Sequence, residues 1–99
     1  MRTLEVKITN PNGLTSRHGA DLVEEANLYK SNITMITSTS NDKADLKAIM
    51  DVMATVVNEG EAFTIEIEGE DEDKAYDAFV KLLQTVRFQR FFYLHICIH

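Results

Sequence analysis

The residues of this sequence that are best suited to binding or chemistry lie close together, shortly after Gly13. They are Thr15, Ser16, Arg17 and His18. A helix that begins in such a run leaves its first backbone N–H groups unpaired, and these groups carry partial positive charge. Hydroxyl groups and an arginine beside them favour binding of an anion such as phosphate. The sequence therefore predicts an anion site here, with Ser16 and Arg17 as its side-chain ligands.

The same residues also fit a simpler structural role. A threonine or serine hydroxyl is a weak nucleophile unless a base lies beside it, and either residue is a good helix N-cap, so we expect Thr15 or Ser16 to cap the helix. His18 is the one imidazole near the turn. His18 lies three residues after Thr15, and this distance along the start of a helix carries its side chain to another face. We therefore expect His18 to be a surface histidine. The alternative is that His18 is an acceptor of a phosphoryl group.

Other candidate sites are weaker. His95, Cys97 and His99 alternate along the chain end, but zinc usually takes four ligands and no fourth is evident. The acidic run 70–73 lacks the alternating ligands and central glycine of a calcium loop. No glycine-rich phosphate loop or Ser/His/Asp set accompanies them. We therefore expect no metal, no cofactor and no enzymatic activity.

Hydrophobic periodicity predicts the elements that hold the turn. Alternation with period two indicates strands, and apolar residues at spacings of three and four indicate helices. The predicted order is β-α-β-β-α-β-α. The strands cover residues 3–9, 32–39, 43–45 and about 63–67, and the helices cover 16–29, 46–57 and about 70–86. This alternation predicts an α+β fold with helices on one side of a mostly antiparallel sheet.

The second helix has a broad apolar stripe for its length. We expect Asp45 to cap its start and Gly60 to follow its end. Part of the stripe should be exposed, and exposed methionine and isoleucine suit a partner surface. The stripe consists of Leu46, Ile49, Met50, Met53, Val56 and Val57.

Composition narrows the class of protein. The 99 residues suffice for one small domain, and the net charge of −6 argues against binding nucleic acid or anionic lipid. No apolar run is long enough to span a membrane, and the first residues are too charged for a signal peptide. A single cysteine excludes an internal disulfide and favours a cytoplasmic location.

The last residues differ in character from the rest. We divide the chain into a domain over 1–86 and an apolar, aromatic tail over 87–99. From Phe92 the tail alternates as a strand does. It is expected to add a fifth strand, extend the last helix, remain disordered or pair with another chain, so that the protein is a monomer or a tail-mediated homodimer.

Five short stretches, taken in order, carry a family resemblance. They are Gly13-Leu14-x-x-Arg17, Leu22-Val23-x-x-Ala26, Ser31-Asn32-Ile33-Thr34, Lys47-Ala48-Ile49-Met50-Asp51-Val52-Met53 and Glu68-Gly69-Glu70-Asp71-Glu72. Their order and spacing resemble the HPr family, the histidine-containing phosphocarriers of the bacterial sugar phosphotransferase system. The resemblance covers about residues 3–86 and implies an open-faced sandwich, in which three helices cover one face of a four-stranded antiparallel sheet of order 1-4-2-3.

The departures from the family pattern bear on function. By resemblance, the family's phosphate-accepting histidine falls on Thr15 and the proline that follows its arginine falls on His18. The regulatory serine of the family falls on Ala48, with Asp51 where the family has glycine. Both phosphorylation sites of the family are therefore expected to be missing.

We accordingly expect an HPr-like regulatory or protein-binding module that has lost phosphocarrier chemistry. Its partners would be phosphotransferase-system enzymes or a regulator. One alternative is a working phosphocarrier that uses His18 or a hydroxyl of Thr15 or Ser16, and another is an oligomerisation unit acting through the tail. The expected partner-binding residues are Thr15, Arg17, His18, Ile49, Met50 and Met53.

Overall fold

The computed structural model describes residues 1–9, 11, 13–55, 57–85 and, for the backbone alone, 92–95. Within these residues the predicted order β-α-β-β-α-β-α is confirmed and is followed by one more strand. The elements are β1 (Arg2–Ile8), α1 (Ser16–Ala26), β2 (Asn32–Thr37), β3 (Lys43–Asp45), α2 (Ile49–Ala54), β4 (Ala62–Glu68), α3 (Glu72–Leu83) and β5 (Phe92–His95).

The sheet is antiparallel throughout, in the order β3-β2-β4-β1-β5. The predicted α+β open-faced sandwich with strand order 1-4-2-3 is confirmed, and β5 extends it beyond β1. Alternate residues of β1, β2 and β4 are buried, while Glu5 and Lys7 of β1 are exposed on the other face. The apolar side chains of one sheet face therefore form the core together with α1, α2 and α3, as period-two alternation predicts.

The core is continuous from the sheet to the helices. Its fully buried large side chains come from every layer, so no separate satellite core is needed to hold the turn before α1. They include Leu4, Val6, Ile8, Leu22, Ile33, Met35, Leu46, Phe63, Ile65, Ile67 and Phe79.

Two predicted elements are shorter than expected. The helix predicted over 16–29 ends at Ala26, because the following amides bond three residues back, Leu28 N to Glu25 O and Tyr29 N to Ala26 O, which tightens the chain into a turn. Tyr29 still packs against the core from this turn. The strand predicted over 32–39 ends at Thr37, where a turn to β3 begins.

The second helix was predicted over 46–57, and both predicted ends are wrong because α2 covers Ile49–Ala54. Leu46 is buried, but its amide donates to Ile33 O and so continues the sheet. Asp45 accepts from Lys47 N at 3.0 Å in the turn before the helix, and the helix itself starts after Ala48. Only Val52 is buried among the residues of α2, since Leu46 and Val57 reach the core from outside it. Val56 lies outside the described residues.

Gly60 was predicted to follow the end of the second helix, and this prediction is wrong. Its amide donates to Ile8 O at 2.8 Å, and its φ of 85° places it in a tight turn that leads into β4. The predicted start of the third helix is two residues early, because α3 begins at Glu72. Its first turn carries Glu72 and Asp73, whose charges complement the helix dipole as expected.

The tail is described only in part. Residues 92–95 form β5, which pairs antiparallel with β1 from Glu5↔His95 to Ile8↔Phe92. The remainder of the predicted tail lies outside the described residues, and the domain division at residue 86 stays a prediction. In the portion of the chain that is described, none of the helices has the length and hydrophobicity to cross a membrane.

Candidate functional site: the start of the first helix

A left-handed glycine sets the turn between β1 and α1. Gly13 has a φ of 70°, and Leu14 N donates to Val57 O at 2.9 Å. A Cβ at position 13 would collide with the Val57 carbonyl. Because an L-residue disfavours this φ and has no room for its side chain, glycine is required here. The turn is thereby fixed to the segment that follows α2.

Thr15 is the N-cap, as predicted. Its backbone is extended (φ −81°, ψ 161°), and its Oγ1 accepts a hydrogen bond from His18 N at 3.3 Å. Gly19 N donates to Thr15 O at 3.0 Å and closes the first helical turn. The threonine side chain therefore satisfies one of the backbone amides that a helix start leaves unpaired.

His18 departs from the expected surface position. Its side chain is only 6% exposed, and its Nδ1 lies 2.8 Å from Thr15 Oγ1. Relative to the N-cap, His18 is the third residue of the helix, whose side chain in a capping box folds back towards the cap. The Thr-x-x-His spacing was therefore a usable signal. The expected surface position of His18 is wrong, because the side chains of the N-cap and of the third helical residue meet over the first turn.

Ser16 and Arg17 lie in the first turn of α1, and both are exposed. Because they are exposed, they are accessible to a ligand or to another protein. Their anion-binding role stays a prediction, since an exposed arginine at a helix start is also compatible with solvation alone.

A patch of apolar side chains on α2 lies beside this turn. Ile49 is 40% exposed, Met50 78% and Met53 38%. Gly19 of α1 lies against α2. A Cβ added at this glycine would lie 2.5 Å from Met53 Cε and 3.4 Å from Val52 Cγ1. The glycine allows α1 and α2 to approach closely, so the helix start and the patch share one surface.

A shallow cavity of about 200 Å³ joins the two parts of this surface. Ser16 and Met53 line it from the two helices, and Asn58 lines it from the segment before β4. Of the predicted partner-binding residues, Met53 lines this cavity, whereas His18 lies beneath the surface. Their role in binding a partner stays a prediction.

Carboxylates are exposed on both helices, and those of α1 line a separate depression that faces Leu82 of α3. Glu24 of α1 and Asp51 of α2 are exposed, and Asp21 and Glu25 are partly exposed on α1. Ala48 precedes α2 and makes no side-chain cap bond. An alanine at this position has no hydroxyl that could carry a phosphoryl group.

Sequence analysis missed one polar cluster, at the start of α3. Asp71 Oδ1 accepts from Ser31 N at 2.9 Å and from Ser31 Oγ at 2.5 Å, and its Oδ2 accepts from Lys30 N at 2.9 Å. These bonds lower the pKa of Asp71 to about 2, and the bond from the Ser31 hydroxyl has the largest effect. The contact joins residues 40 positions apart, and no local spacing could have revealed it.

The alternating histidines and cysteine of the chain end were the candidate metal ligands. The described residues contain no group of three or more His, Cys, Asp or Glu side chains arranged to hold an ion. Cys97 and His99 of the alternating chain end fall outside those residues, as does the side chain of His95. The expectation of no metal stays a prediction.

The fold and the turn define a class of protein: a small open-faced sandwich whose first helix begins in a capped, partly exposed turn next to apolar residues of the second. A family model described as the PTS HPr component phosphorylation site matches residues 3–85. The chain belongs to the HPr family, the phosphocarriers of the phosphotransferase system, as the sequence resemblance predicted.

Individual relatives agree with this assignment. The phosphocarrier protein HPr of Lysinibacillus sphaericus is 36% identical over 83 residues, which cover 84% of this chain and 92% of the relative. Among solved structures, the histidine-containing phosphocarrier protein of Mycoplasma has a TM-score of 0.75 and 34% identity, with 82% of this chain and 90% of that chain covered.

The chain is also similar to a relative named for catabolite repression. The protein Crh of Bacillus subtilis has a TM-score of 0.61 and 29% identity, with 79% of this chain and 87% of that chain covered. Its structure is described as a domain-swapped, intertwined dimer.

Proposed function

We propose that this HPr-family protein does not carry phosphate at the family's accepting position and acts as a regulatory, protein-binding module of the phosphotransferase system. The observation that carries the proposal is the state of Thr15. By family resemblance this residue occupies the position of the accepting histidine, and its hydroxyl is engaged as the N-cap of α1.

The chemistry of a threonine is wrong for a carrier. A phosphoryl group on an imidazole nitrogen is held in a labile bond and moves on readily, whereas a threonine phosphate is a stable ester. A hydroxyl also needs a base to attack phosphorus. A threonine at this position should therefore abolish relay of the group even if the partner enzymes still dock.

The rest of the surface favours docking. Arg17, Ile49, Met50 and Met53 combine one cation with an exposed apolar patch, a composition typical of protein interfaces. The exposed carboxylate of Asp51 on the same helix, together with the net charge of −6, would repel an acidic partner and favour a basic one.

One observation favours the alternative of a working phosphocarrier. His18 Nδ1 lies 2.8 Å from Thr15 Oγ1, which is the distance of a nucleophile from its general base. In that case His18 would take the hydroxyl proton while Thr15 receives a phosphoryl group from a phosphorylated protein donor. The product would be phosphothreonine, which is acid-stable, whereas a phosphate on His18 itself would be acid-labile.

Phosphorylation with labelled phosphoenolpyruvate and enzyme I tests these readings. The HPr of Lysinibacillus sphaericus serves as the positive control. The proposal expects no label on this chain. Acid-labile label that disappears in His18→Gln would establish a displaced carrier, and acid-stable label that disappears in Thr15→Val would establish the threonine acceptor; either result overturns the proposal.

The docking half needs its own measurement. Binding of the unphosphorylated chain to each phosphotransferase-system enzyme is compared with that of Met50→Asp, which places a charge at the centre of the apolar patch. We expect the substitution to weaken binding at least tenfold, with Glu70→Lys, on a different surface, as the matched control. Equal affinity of Met50→Asp and the unchanged chain would exclude this patch as the interface.

A further inference from the structure

The depression between α1 and α3 is a feature that the proposed function leaves unused. It has a volume of about 180 Å³. The described residues that line it carry two kinds of side chain, carboxylates and leucines. They are Asp21, Glu24, Glu25, Leu28 and Leu82. This lining belongs to α1, to the turn that follows it and to α3, so the depression is separate from the cavity beside α2.

The geometry of α1 places these carboxylates on the side of the helix away from α2. Gly19 marks the side that faces α2, because a Cβ added there would meet the side chain of Met53. At about 3.6 residues per turn, positions 21, 24 and 25 lie within roughly 60° of the opposite direction. A partner that fills the depression therefore leaves the apolar patch of α2 uncovered.

Two leucines supply the apolar part of the depression. Leu28 is 71% exposed, in the turn where its amide donates to Glu25 O at 3.1 Å. Leu82 lines the depression from α3 and packs partly against the core. A single exposed leucine is common on a protein surface, but here it lies beside a depression that an apolar side chain can fill. Such a contact removes apolar surface of Leu28 from water and is favourable.

The carboxylate of Glu25 is held in place by a neighbouring phenol. Tyr29 Oη donates to Glu25 Oε2 at 3.2 Å, and Tyr29 packs against the core. Burial and then the charge of Glu25 raise the pKa of Tyr29, so the phenol keeps its proton and remains a donor at neutral pH. A carboxylate that is already ordered loses less freedom when a cation binds to it.

The size of the depression indicates the class of ligand. Sites for small molecules and cofactors usually measure about 300–1,000 Å³, and this depression is smaller. It suits one apolar side chain of another protein, while the carboxylates beside it attract lysine or arginine. A helix that presents a leucine between basic residues combines both features, and helices that dock in grooves use apolar anchors at helical spacing.

We propose that the depression between α1 and α3 is a second docking surface, and that its partner is a basic amphipathic helix of another protein. An apolar anchor of that helix packs between Leu28 and Leu82, and its lysine or arginine residues pair with Glu24 and Glu25. The net charge of −6 attracts the same partner over a longer range. This surface acts independently of the α2 patch and does not depend on binding of a phosphotransferase-system enzyme there.

Amide NMR of the full, ¹⁵N-labelled chain tests the proposal by titration with a synthetic peptide. The peptide forms an amphipathic helix with leucines at i, i+3 and i+7 and with lysines on both sides of this stripe. A control peptide has the same leucines and has glutamine in place of each lysine. We expect the lysine peptide to shift the amides of residues 21–28 and of Leu82. The control peptide should bind roughly fivefold more weakly or less, because it cannot form the charge pairs.

Paired charge substitutions distinguish a local site from general attraction to an acidic protein. Glu24→Gln with Glu25→Gln should weaken binding of the lysine peptide roughly fivefold. Glu66→Gln with Glu68→Gln removes the same charge from the open face of the sheet, and screening by salt should keep its effect within about twofold. Leu28→Gln should weaken binding without a change of charge, whereas Leu28→Met keeps an apolar side chain and should retain it.

Four results would overturn the proposal. They are a lysine peptide that does not bind, largest shifts on α2, equal affinities after the two paired charge substitutions, and unchanged binding to Leu28→Gln. The dispersion of the amide spectrum shows which variants are folded, and affinities are compared among these. Shifts confined to α2 would exclude the second surface and leave the proposed function intact, whereas shifts at 21–28 without binding of any phosphotransferase-system enzyme would do the reverse.

Discussion

The starts of α1 and α3 use an oxygen-bearing side chain in opposite ways. At α1, Thr15 accepts from the amide of His18, three residues along the same helix. At α3, Asp71 makes no side-chain cap bond to its own helix and instead accepts from Lys30 N and Ser31 N, just before β2. One helix start is closed locally, and the other fixes a distant part of the fold.

The difference separates function from stability. A start that is closed by its own neighbours can change in sequence without moving the sheet, which is consistent with the proposed change of chemistry at this surface. A start that joins two elements is constrained by both. We expect substitutions at α3 to affect stability most, and substitutions at α1 to affect binding more than stability.

Asp71→Ala should give the largest loss of stability. It removes a charged acceptor shared by two amides and the Ser31 hydroxyl, and charge-assisted hydrogen bonds are stronger than neutral ones. The measurement is the midpoint of thermal unfolding at pH 7, with Glu70→Ala, an exposed neighbouring acid, as the control. Equal midpoints for Asp71→Ala and Glu70→Ala would refute the contrast between the two helix starts.

The same carboxylate predicts a dependence on pH. The pKa of Asp71 is lowered from 3.8 to about 2 in the folded chain, chiefly by the Ser31 hydroxyl. A lowered folded pKa gives a stabilising contribution that is complete above the unfolded value and is lost as pH falls through the folded value. The difference in stability between the unchanged chain and Asp71→Ala should therefore shrink between about pH 4 and pH 2. A difference that stays constant over this range would contradict the assignment.

Thr15→Ala should have a smaller effect, a loss of about 1 kcal/mol from the missing N-cap. For a domain of this size that is a fall of roughly 4–8 °C in the unfolding midpoint. Thr15→Ser keeps the hydroxyl and should retain most of the stability. If serine destabilised the chain as much as alanine does, the hydroxyl would not be the stabilising group.

Gly19→Ala should change stability least. The new Cβ meets the terminal methyl of Met53, which can move, and alanine favours a helix over glycine by about 1 kcal/mol. We expect a net change within about 0.5 kcal/mol by chemical denaturation, with a gain of roughly 1 kcal/mol once Met53→Ala removes the contact. A loss above about 2 kcal/mol in both backgrounds would mean that the backbone of α2 obstructs position 19.

Patterns within one element predicted more than contacts between elements. Alternation located the buried residues of β1 and β4, because a sheet with one covered face requires it. The second helix was overextended because Leu46 and Val57 fit a helical stripe although one belongs to the sheet side and the other to a loop. Hydrophobic spacing shows that a residue is buried, and it does not show which element buries it.

The candidate site was predicted in composition but not in geometry. Thr15 as the cap and the exposure of Met50 followed from local rules. The burial of His18 depended on how a capping side chain leans, and the Asp71 cluster depended on a contact across the fold. Neither leaves a periodic signal in the sequence. The Thr-x-x-His spacing, which resembles that of a capping box, is a local signal for the first of them.

Reconstituted sugar phosphorylation tests the central claim most directly. Labelled phosphoenolpyruvate, enzyme I, a sugar-specific enzyme II and its sugar are mixed with this chain, and in parallel with the HPr of Lysinibacillus sphaericus. The account predicts labelled sugar phosphate with the relative and none above background with this chain. Labelled sugar phosphate formed with this chain and lost in His18→Gln or Thr15→Val would contradict it.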